Sequence, residues 1–452
     1  MQQLNVQQYL DDRPLSGKQW LVFVLGVLII LADGLDSGAI GFIAPSLLSA
    51  WGIDKPALAP VVSASLVGMA IGALVAGPLA DRFGRKWVVI ASTVLFGLFT
   101  VVSGFASNTT ELAIFRFITG LGLGAAMPNI ATLVAEYMPA ARRATMVNLM
   151  FCAFPLGITM GGLLAAKIIP SAGWEHMLMY CGVFPLILAA VLLFSLPESI
   201  QYLLSRNRQA AAQNIMRSID KQLDFSKTRL VLPEVKGNTN AGVALIVSKP
   251  YIVSTAMLWL CCFMSLLVFY LLTSWMPVLL KQAGFTTEQY SLIAAIFPFG
   301  GVFGTAIIGW AMDKFQANRA LMVVYLISAV LMVVTGLFTN DIVLFGVFIF
   351  LAGAGLVGAQ SSLPALTALF YPVQGRAAGV SWMHGIGRLG AIFGAFFGAQ
   401  IFALNLSLSQ IFMLLGIPVL VSAVALWVKG KDKSIQKNDS VPAGSAISKN
   451  SN

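Results

Sequence analysis

Hydrophobic residues in this chain come in long runs rather than in stripes. About twelve stretches are apolar on every side, roughly at 20–48, 58–79, 87–107, 112–135, 145–168, 177–196, 252–280, 290–311, 320–338, 342–370, 377–403 and 407–428. An α-helix needs about 20 residues to cross a hydrocarbon core of about 30 Å. Runs of that length, separated by polar turns, predict an all-α polytopic membrane protein with twelve transmembrane helices.

The first run carries an anomaly, Asp33-Gly34-Leu35-Asp36. Each carboxylate at bilayer depth costs about 2.5–3.5 kcal/mol, so the pair costs about 5–7 kcal/mol. The fourteen Leu, Ile, Val and Phe residues between Leu21 and Ile43 return about 4–8 kcal/mol on the same scale. The helix alone is near break-even, so the acids are expected to face a wet or polar interior. Three residues apart, they are expected to share a helix face, and two acids on a buried face suggest a proton or substrate site.

Composition agrees with the pattern: of 452 residues, 58% are hydrophobic and 10% charged, against about 25% charged in soluble domains. The net charge of +10 is a topology signal. Of 28 Lys and Arg, 23 fall in the N-terminus, the loops after even-numbered runs and the C-terminal tail; only Lys55, Lys167 and Lys281 fall on the other side, and Arg116 and Arg388 lie within runs. This asymmetry places both termini in the cytoplasm and argues against a nucleic-acid partner. Attraction to anionic membrane lipid is a secondary effect. The first twelve residues hold no Lys or Arg, and the first run is too long for a signal h-region, so it is expected to be retained. Cys152, Cys181, Cys261 and Cys262 all fall in apolar runs and are expected to pack. His176 and His384 are isolated, so no metal site is expected; His176 reads as structural.

The longest polar stretch, 197–250, includes Arg206, Arg208, Arg217 and Lys221. It divides six runs from six and is expected to be a cytoplasmic linker with some amphipathic helix. The predicted organisation is an N-terminal segment (1–19), a six-helix half (20–196), the linker, a second six-helix half (251–428) and a disordered tail (429–452). The halves echo one another. At an offset of 232, Gly77-Pro78-Leu79-Ala80-Asp81-Arg82-Phe83 returns as Gly309-Trp310-Ala311-Met312-Asp313-Lys314-Phe315. At an offset of 233, Phe115, Phe117, Gly120, Gly122, Leu123 and Ala126 match Phe348, Phe350, Gly353, Gly355, Leu356 and Ala359; Pro139, Arg143, Ala144 and Val147 match Pro372, Arg376, Ala377 and Val380.

Two parallel six-helix repeats describe the major facilitator architecture, with its substrate site between the halves. The stretch Gly77 to Lys86 resembles that superfamily's loop motif between spans two and three. Arg116 with Gly120, Gly122 and Gly124 resembles its span-four motif, and Leu196-Pro197-Glu198-Ser199 is typical after span six. More narrowly, Asp33-Gly34-Leu35-Asp36 followed by Gly41-Phe42-Ile43-Ala44-Pro45, together with Gly387-Arg388-Leu389-Gly390, resembles the aromatic acid:proton symporter family. The resemblance spans about residues 18–428. It implies proton-coupled import of an aromatic carboxylate, of hydroxybenzoate type and with 3-hydroxybenzoate preferred, across a bacterial inner membrane by a monomer without cofactor. One departure stands out: Gln316 occupies the place of Gly84, so the two cytoplasmic turns are expected to differ.

Within this reading Asp33, Asp36 and Arg116 are candidates for proton coupling, Asp36 foremost, with either acid a possible partner for Arg116. Arg388 is the candidate grip for a substrate carboxylate. His384 lies one turn away on the same face and can titrate near physiological pH. Tyr270, Trp275 and Trp382 are candidates to stack on an aromatic ring, and Gln360, Ser361 and Ser362 to meet a ring hydroxyl. Asp81, Arg82, Arg85 and Lys86, with Asp313 and Lys314, are expected to gate the cytoplasmic end. Glycine-rich stretches read as close helix contacts, and no GxxxxGK[ST] pattern supports ATP drive. The alternative is a major facilitator antiporter exporting drugs or aromatic compounds. A sensor lacks an evident output domain, and an enzyme lacks an evident nucleophile–base or metal constellation.

Overall fold

The computed structural model describes residues 2–220, 228–231, 239–401, 404 and 406–431; Lys221 and the tail beyond 431 lie outside them. Twelve long helices dominate. They are α1 (Gly17–Trp51), α2 (Lys55–Phe83), α3 (Arg85–Ser103), α4 (Thr109–Tyr137), α5 (Ala140–Ala172), α6 (Trp174–Ser195), α7 (Ile252–Gln282), α8 (Thr287–Lys314), α9 (Ala317–Leu337), α10 (Ile342–Phe370), α11 (Val373–Ile401) and α12 (Leu408–Lys431). All but α11 are long and apolar enough to cross a membrane. That helix has the length but carries His384, Arg388 and a row of glycines. Helix α5 runs in two pieces, Ala140–Phe151 and Ala153–Ala172. Pro155 accounts for the break, because it has no N–H for the carbonyl of Phe151.

Side-chain caps set the helix starts. Ser16 with Gln19 and Thr286 with Gln289 form capping boxes at α1 and α8. Asn108 and Asp341, equivalent positions in the two halves, cap α4 and α10. Twelve passes bring both ends of the bundle's chain to one side, here termed the terminal end.

The sequence echo is an echo of packing. In the first half α2 packs on α4, α1 on α5 and α3 on α6; in the second, α8 packs on α10, α7 on α11 and α9 on α12. The register repeats residue by residue. A side chain at Gly157 would strike the carbonyl of Leu31; one at Gly390 would strike the carbonyl of Phe263. Gly68 meets Phe117 as Gly300 meets Phe350, and Gly120 meets Ser65 as Gly353 meets Phe297. Every one of these contacts recurs at the offset of the sequence repeat. Small residues here let the backbones touch, which replaces the hydrophobic drive that helices lack inside lipid.

The halves meet through α5 on α8, α2 on α11 and α1 on α7. Thr159 Oγ1 donates to Ala295 O at 3.3 Å, and Lys55 Nζ to Gln282 Oε1 at 2.8 Å. Gly162 lies against Ser291 and Ala295. By their places along the helices, these contacts lie between midspan and the end opposite the termini.

The linker holds helices Ile200–Ser205, Gln209–Ile219 and Thr239–Ile246. It also holds a strand, β2 (Thr228–Val231), paired in parallel with β1 (Gln2–Asn5). This sheet qualifies the all-α expectation; such short strands do not announce themselves by alternation. Asp220 binds both Tyr9 and Arg13, tying the N-terminal segment to the linker a second time.

Candidate functional site

Asp36 and Arg116 form a bidentate pair. Nη1 donates to Oδ1 at 2.9 Å and Nη2 to Oδ2 at 2.8 Å. Thr100 Oγ1 from α3 donates to Oδ1 at 2.6 Å. All three residues are fully buried. Their counterparts in the second half, at offsets of 232 or 233, are Val268, Met332 and Ile349, equally buried. The same packing position is therefore apolar in one half and ionic in the other.

Asp33 has different company. It is 2% exposed and accepts a hydrogen bond from Ser37 Oγ at 3.1 Å. It lies within electrostatic range of Arg388, and Tyr270 of α7 lies within range of both. No direct ion pair joins Asp33 to a base among the described residues. The two acids share a broad helix face, as expected from their spacing, but not their partners. Three residues along a helix rotate the side chain by about 60°, enough to send Asp36 into the first half, against α3 and α4, and Asp33 toward the second. The open choice of partner for Arg116 resolves to Asp36, which leaves Asp33 as the acid facing the second half.

Arg388 reaches from α11 to the first half, where Nη1 donates to Met69 O at 2.9 Å. His384, one turn nearer the terminal end, lies deep in the molecule yet is open to solvent. A cleft between the halves therefore extends to midspan. Ser361 is exposed and Gln360 half-buried on α10 at a comparable depth, while Ser362 is buried and donates to Gly358 O at 2.9 Å. Trp382 is 46% exposed and stacks on Trp259 of α7, with centroids 6.0 Å apart.

Trp275 requires a correction. It is fully buried, and its Nε1 donates to Ala395 O at 2.7 Å. Gly398 lies against its ring. The indole is wedged between α7 and α11 and presents no face to a substrate. His176 Nδ1 lies 2.6 Å from Ala172 O at a helix start, as befits a structural residue.

The charges flanking the turn at Gly84, in the last turn of α2 and the first of α3, are organised within the first half. Arg85 pairs with Glu136 of α4, which also binds Ser199 Oγ. Lys86 N and Ser199 N both donate to Glu198 Oε1, at 3.0 and 2.8 Å, and Lys86 Nζ reaches Leu193 O. Tyr137 OH donates to Glu198 O at 2.7 Å. Asp81 and Arg82 are exposed, and Arg206 and Tyr202 bind their carbonyls. Asp313 and Lys314 are exposed too, with Lys314 Nζ 4.9 Å over the Trp310 ring. The sequence reading missed Glu136 and Glu198 as partners. Glu198 stands in a motif that carries no role from sequence alone, and the only sequence signal for Glu136 is that it is a lone acid at the end of an apolar run.

Gly84 sits at φ +96°, with its missing side chain's place filled by Glu198. Gln316 sits at φ −62°. The sequence departure at this position thus has a backbone counterpart.

The family model for the Major Facilitator Superfamily matches residues 26–330 and 258–450. The 4-hydroxybenzoate transporter PcaK of Pseudomonas aeruginosa is 44% identical over 432 residues, 95% of this chain and 96% of that protein. The gallate transporter of Pseudomonas putida is 41% identical over 94% of this chain and 95% of its own. Among solved structures, a D-xylose-proton symporter superposes with a TM-score of 0.71 at 20% identity, over 90% of this chain and 97% of that one. A bacterial homologue of the human lysosomal transporter Spinster, inward-facing and unoccupied, gives 0.70 at 15% identity, over 93% and 98%. The fold, the repeated packing and these likenesses agree: the chain belongs to the Major Facilitator Superfamily and is an integral membrane transporter rather than an enzyme.

Proposed function

We propose that this protein imports a hydroxylated benzoate together with protons by alternating access. The observation that carries the reading is that Asp33, from the first half, lies within electrostatic range of Arg388, from the second, with His384 exposed one turn from that arginine. A guanidinium at midspan suits a carboxylate better than it suits a lipophilic cation, which favours uptake of an aromatic acid over the drug-export alternative. The identities of the similar transporters support the same substrate class, with 4-hydroxybenzoate now the first probe and 3-hydroxybenzoate the second.

Coupling follows from competition for one cation. While Asp33 is ionised it shares the field of Arg388 with any substrate carboxylate. When Asp33 takes up a proton, Arg388 is left to the substrate. Proton and anion then favour one another's binding, and the effect is reciprocal. Differential binding to the two orientations shifts the halves. Tyr270, Gln360 and Ser361 complete the pocket in this reading, and Asp36 with Arg116 forms its fixed backing; Trp382, on the flank of α11 shared with exposed Leu389 and Phe393, lies about 160° round the helix from His384 and is left out of it. Asp81, Arg82, Arg85, Lys86, Asp313 and Lys314 serve the gate at the terminal end. The basic asymmetry of the loops supports a cytoplasmic side for that end, the bacterial sources of the similar transporters support a bacterial inner membrane, and in this reading the two halves of one monomer suffice.

Uptake into proteoliposomes tests this. An inward-directed proton gradient should drive accumulation of labelled 4-hydroxybenzoate, and an uncoupler should abolish it. Export against an opposed gradient, with no accumulation, would establish the antiporter instead.

A further inference from the structure

Gly41-Phe42-Ile43-Ala44-Pro45 takes no part in the site, although it lies two turns beyond Asp33 on α1. Its structural place is specific. Gly41 touches the backbone of α7 at Thr273: a side chain at 41 would strike the Thr273 carbonyl oxygen, and Ser274 Cα would lie 3.2 Å away. Thr273 is itself the counterpart of Gly41, at an offset of 232. The counterpart of Pro45, at the same offset, is Pro277. The two helices therefore cross at equivalent residues, where the axis relating the halves passes between them.

Proline has no N–H for the carbonyl four residues earlier. Pro45 cannot satisfy Gly41 O, and Pro277 cannot satisfy Thr273 O. Each helix is thus weakened just where it meets the other, and the freed carbonyl of Thr273 is aimed at Gly41. Thr273 Oγ1 is buried there without a hydrogen-bond partner, as is Ser291 Oγ beside Gly162 at the contact of α5 with α8. Leaving a buried hydroxyl unpaired is unfavourable, because its lost hydration is not replaced. Separation of the halves at this end would return Ser291 Oγ to water, while Thr273 stays at the crossing, so the closed α5–α8 seam carries a group that favours its opening.

We propose that the Gly41–Thr273 crossing is the pivot on which the end opposite the termini closes, with Pro45 and Pro277 as paired hinges. The inference rests on the alternating-access reading, but its test does not need the substrate. Lys55 and Gln282 bridge the closed end, so Lys55→Cys with Gln282→Cys gives a disulfide reporter in the full-length protein, scored against the parent without the introduced cysteines. The pair should cross-link readily in the otherwise unchanged chain. Gly41→Ala should slow cross-linking by about tenfold, since it obstructs closure. Pro277→Ala adds no bulk and returns a donor to Thr273 O; it should slow cross-linking several-fold even if Gly41→Ala does not fold. Cross-linking at the reference rate in a folded variant of either kind, or none in the reference itself, overturns the pivot. Loss of aromatic-acid uptake with the cross-linking pattern intact would count against the transport reading alone.

Discussion

The guanidinium of Arg116 holds both carboxylate oxygens of Asp36, at 2.9 and 2.8 Å, with neither residue exposed. Breaking such a pair strands a charge, at a cost of about 3–5 kcal/mol, whereas replacing both partners with apolar groups is often neutral or stabilising. The second half shows which groups fit, since Val268 and Ile349 hold the equivalent places. Arg116→Ala should therefore lower the melting temperature strongly, and Asp36→Val with Arg116→Ile should restore most of it. Equal melting of the single variant and the parent would remove the pair from the stability account. Transport by the apolar double variant then separates scaffold from chemistry.

Asp33→Asn removes a charge that no base among the described residues contacts directly, so folding should survive. In proteoliposomes this variant should exchange labelled for unlabelled substrate across the membrane but fail to accumulate it under a proton gradient. Accumulation at the parent level would exclude Asp33 from coupling. Arg388→Ala should instead weaken substrate affinity, by the equivalent of about 2–5 kcal/mol for a lost buried charge partner; titration calorimetry measures it.

Two tryptophans that look alike in sequence should behave differently. Trp275→Phe loses the bond to Ala395 and should cost about 1 kcal/mol of stability with substrate affinity unchanged. Trp382→Ala should cost less stability and also leave affinity unchanged, because that ring is half open on the flank of α11 away from Arg388. A loss of affinity in either variant would return that residue to the binding surface.

At the terminal end, Gly84→Ala forces a side chain onto φ +96° and against Glu198. It should destabilise by about 1–3 kcal/mol from the backbone alone, because φ +96° with ψ 151° is a conformation essentially confined to glycine. Gln316→Gly, at a position that any residue can adopt, should cost well under that, about 0.5–1 kcal/mol from chain entropy. Thermal unfolding of the two variants side by side checks the contrast.

Much of the architecture was legible because its signal is local. Span length gave the helices, and the offset between the repeats proved to be the register in which Gly157 meets Leu31 and Gly390 meets Phe263. The site was legible as residue types and not as partnerships. Helical spacing put Asp33 and Asp36 on one face, but a rotation of about 60° and the neighbours waiting on each side decide which acid finds Arg116. Trp275 and Trp382 differ only in what α11 brings against them. Glu136 acquires its partners from the start of α3 and the segment after α6, each separated from it by the length of at least one helix. No periodicity along the chain encodes those contacts.

The midspan charges have an electrical consequence. With both acids ionised, Asp33, Asp36, Arg116 and Arg388 sum to zero. A single uncompensated charge crossing the membrane field would couple to it by about 2.3 kcal/mol per 100 mV. The empty carrier moves none, so its return step is expected to run at the same rate whatever the membrane voltage. The rate of that return step, measured in proteoliposomes at imposed potassium diffusion potentials, should not change with voltage.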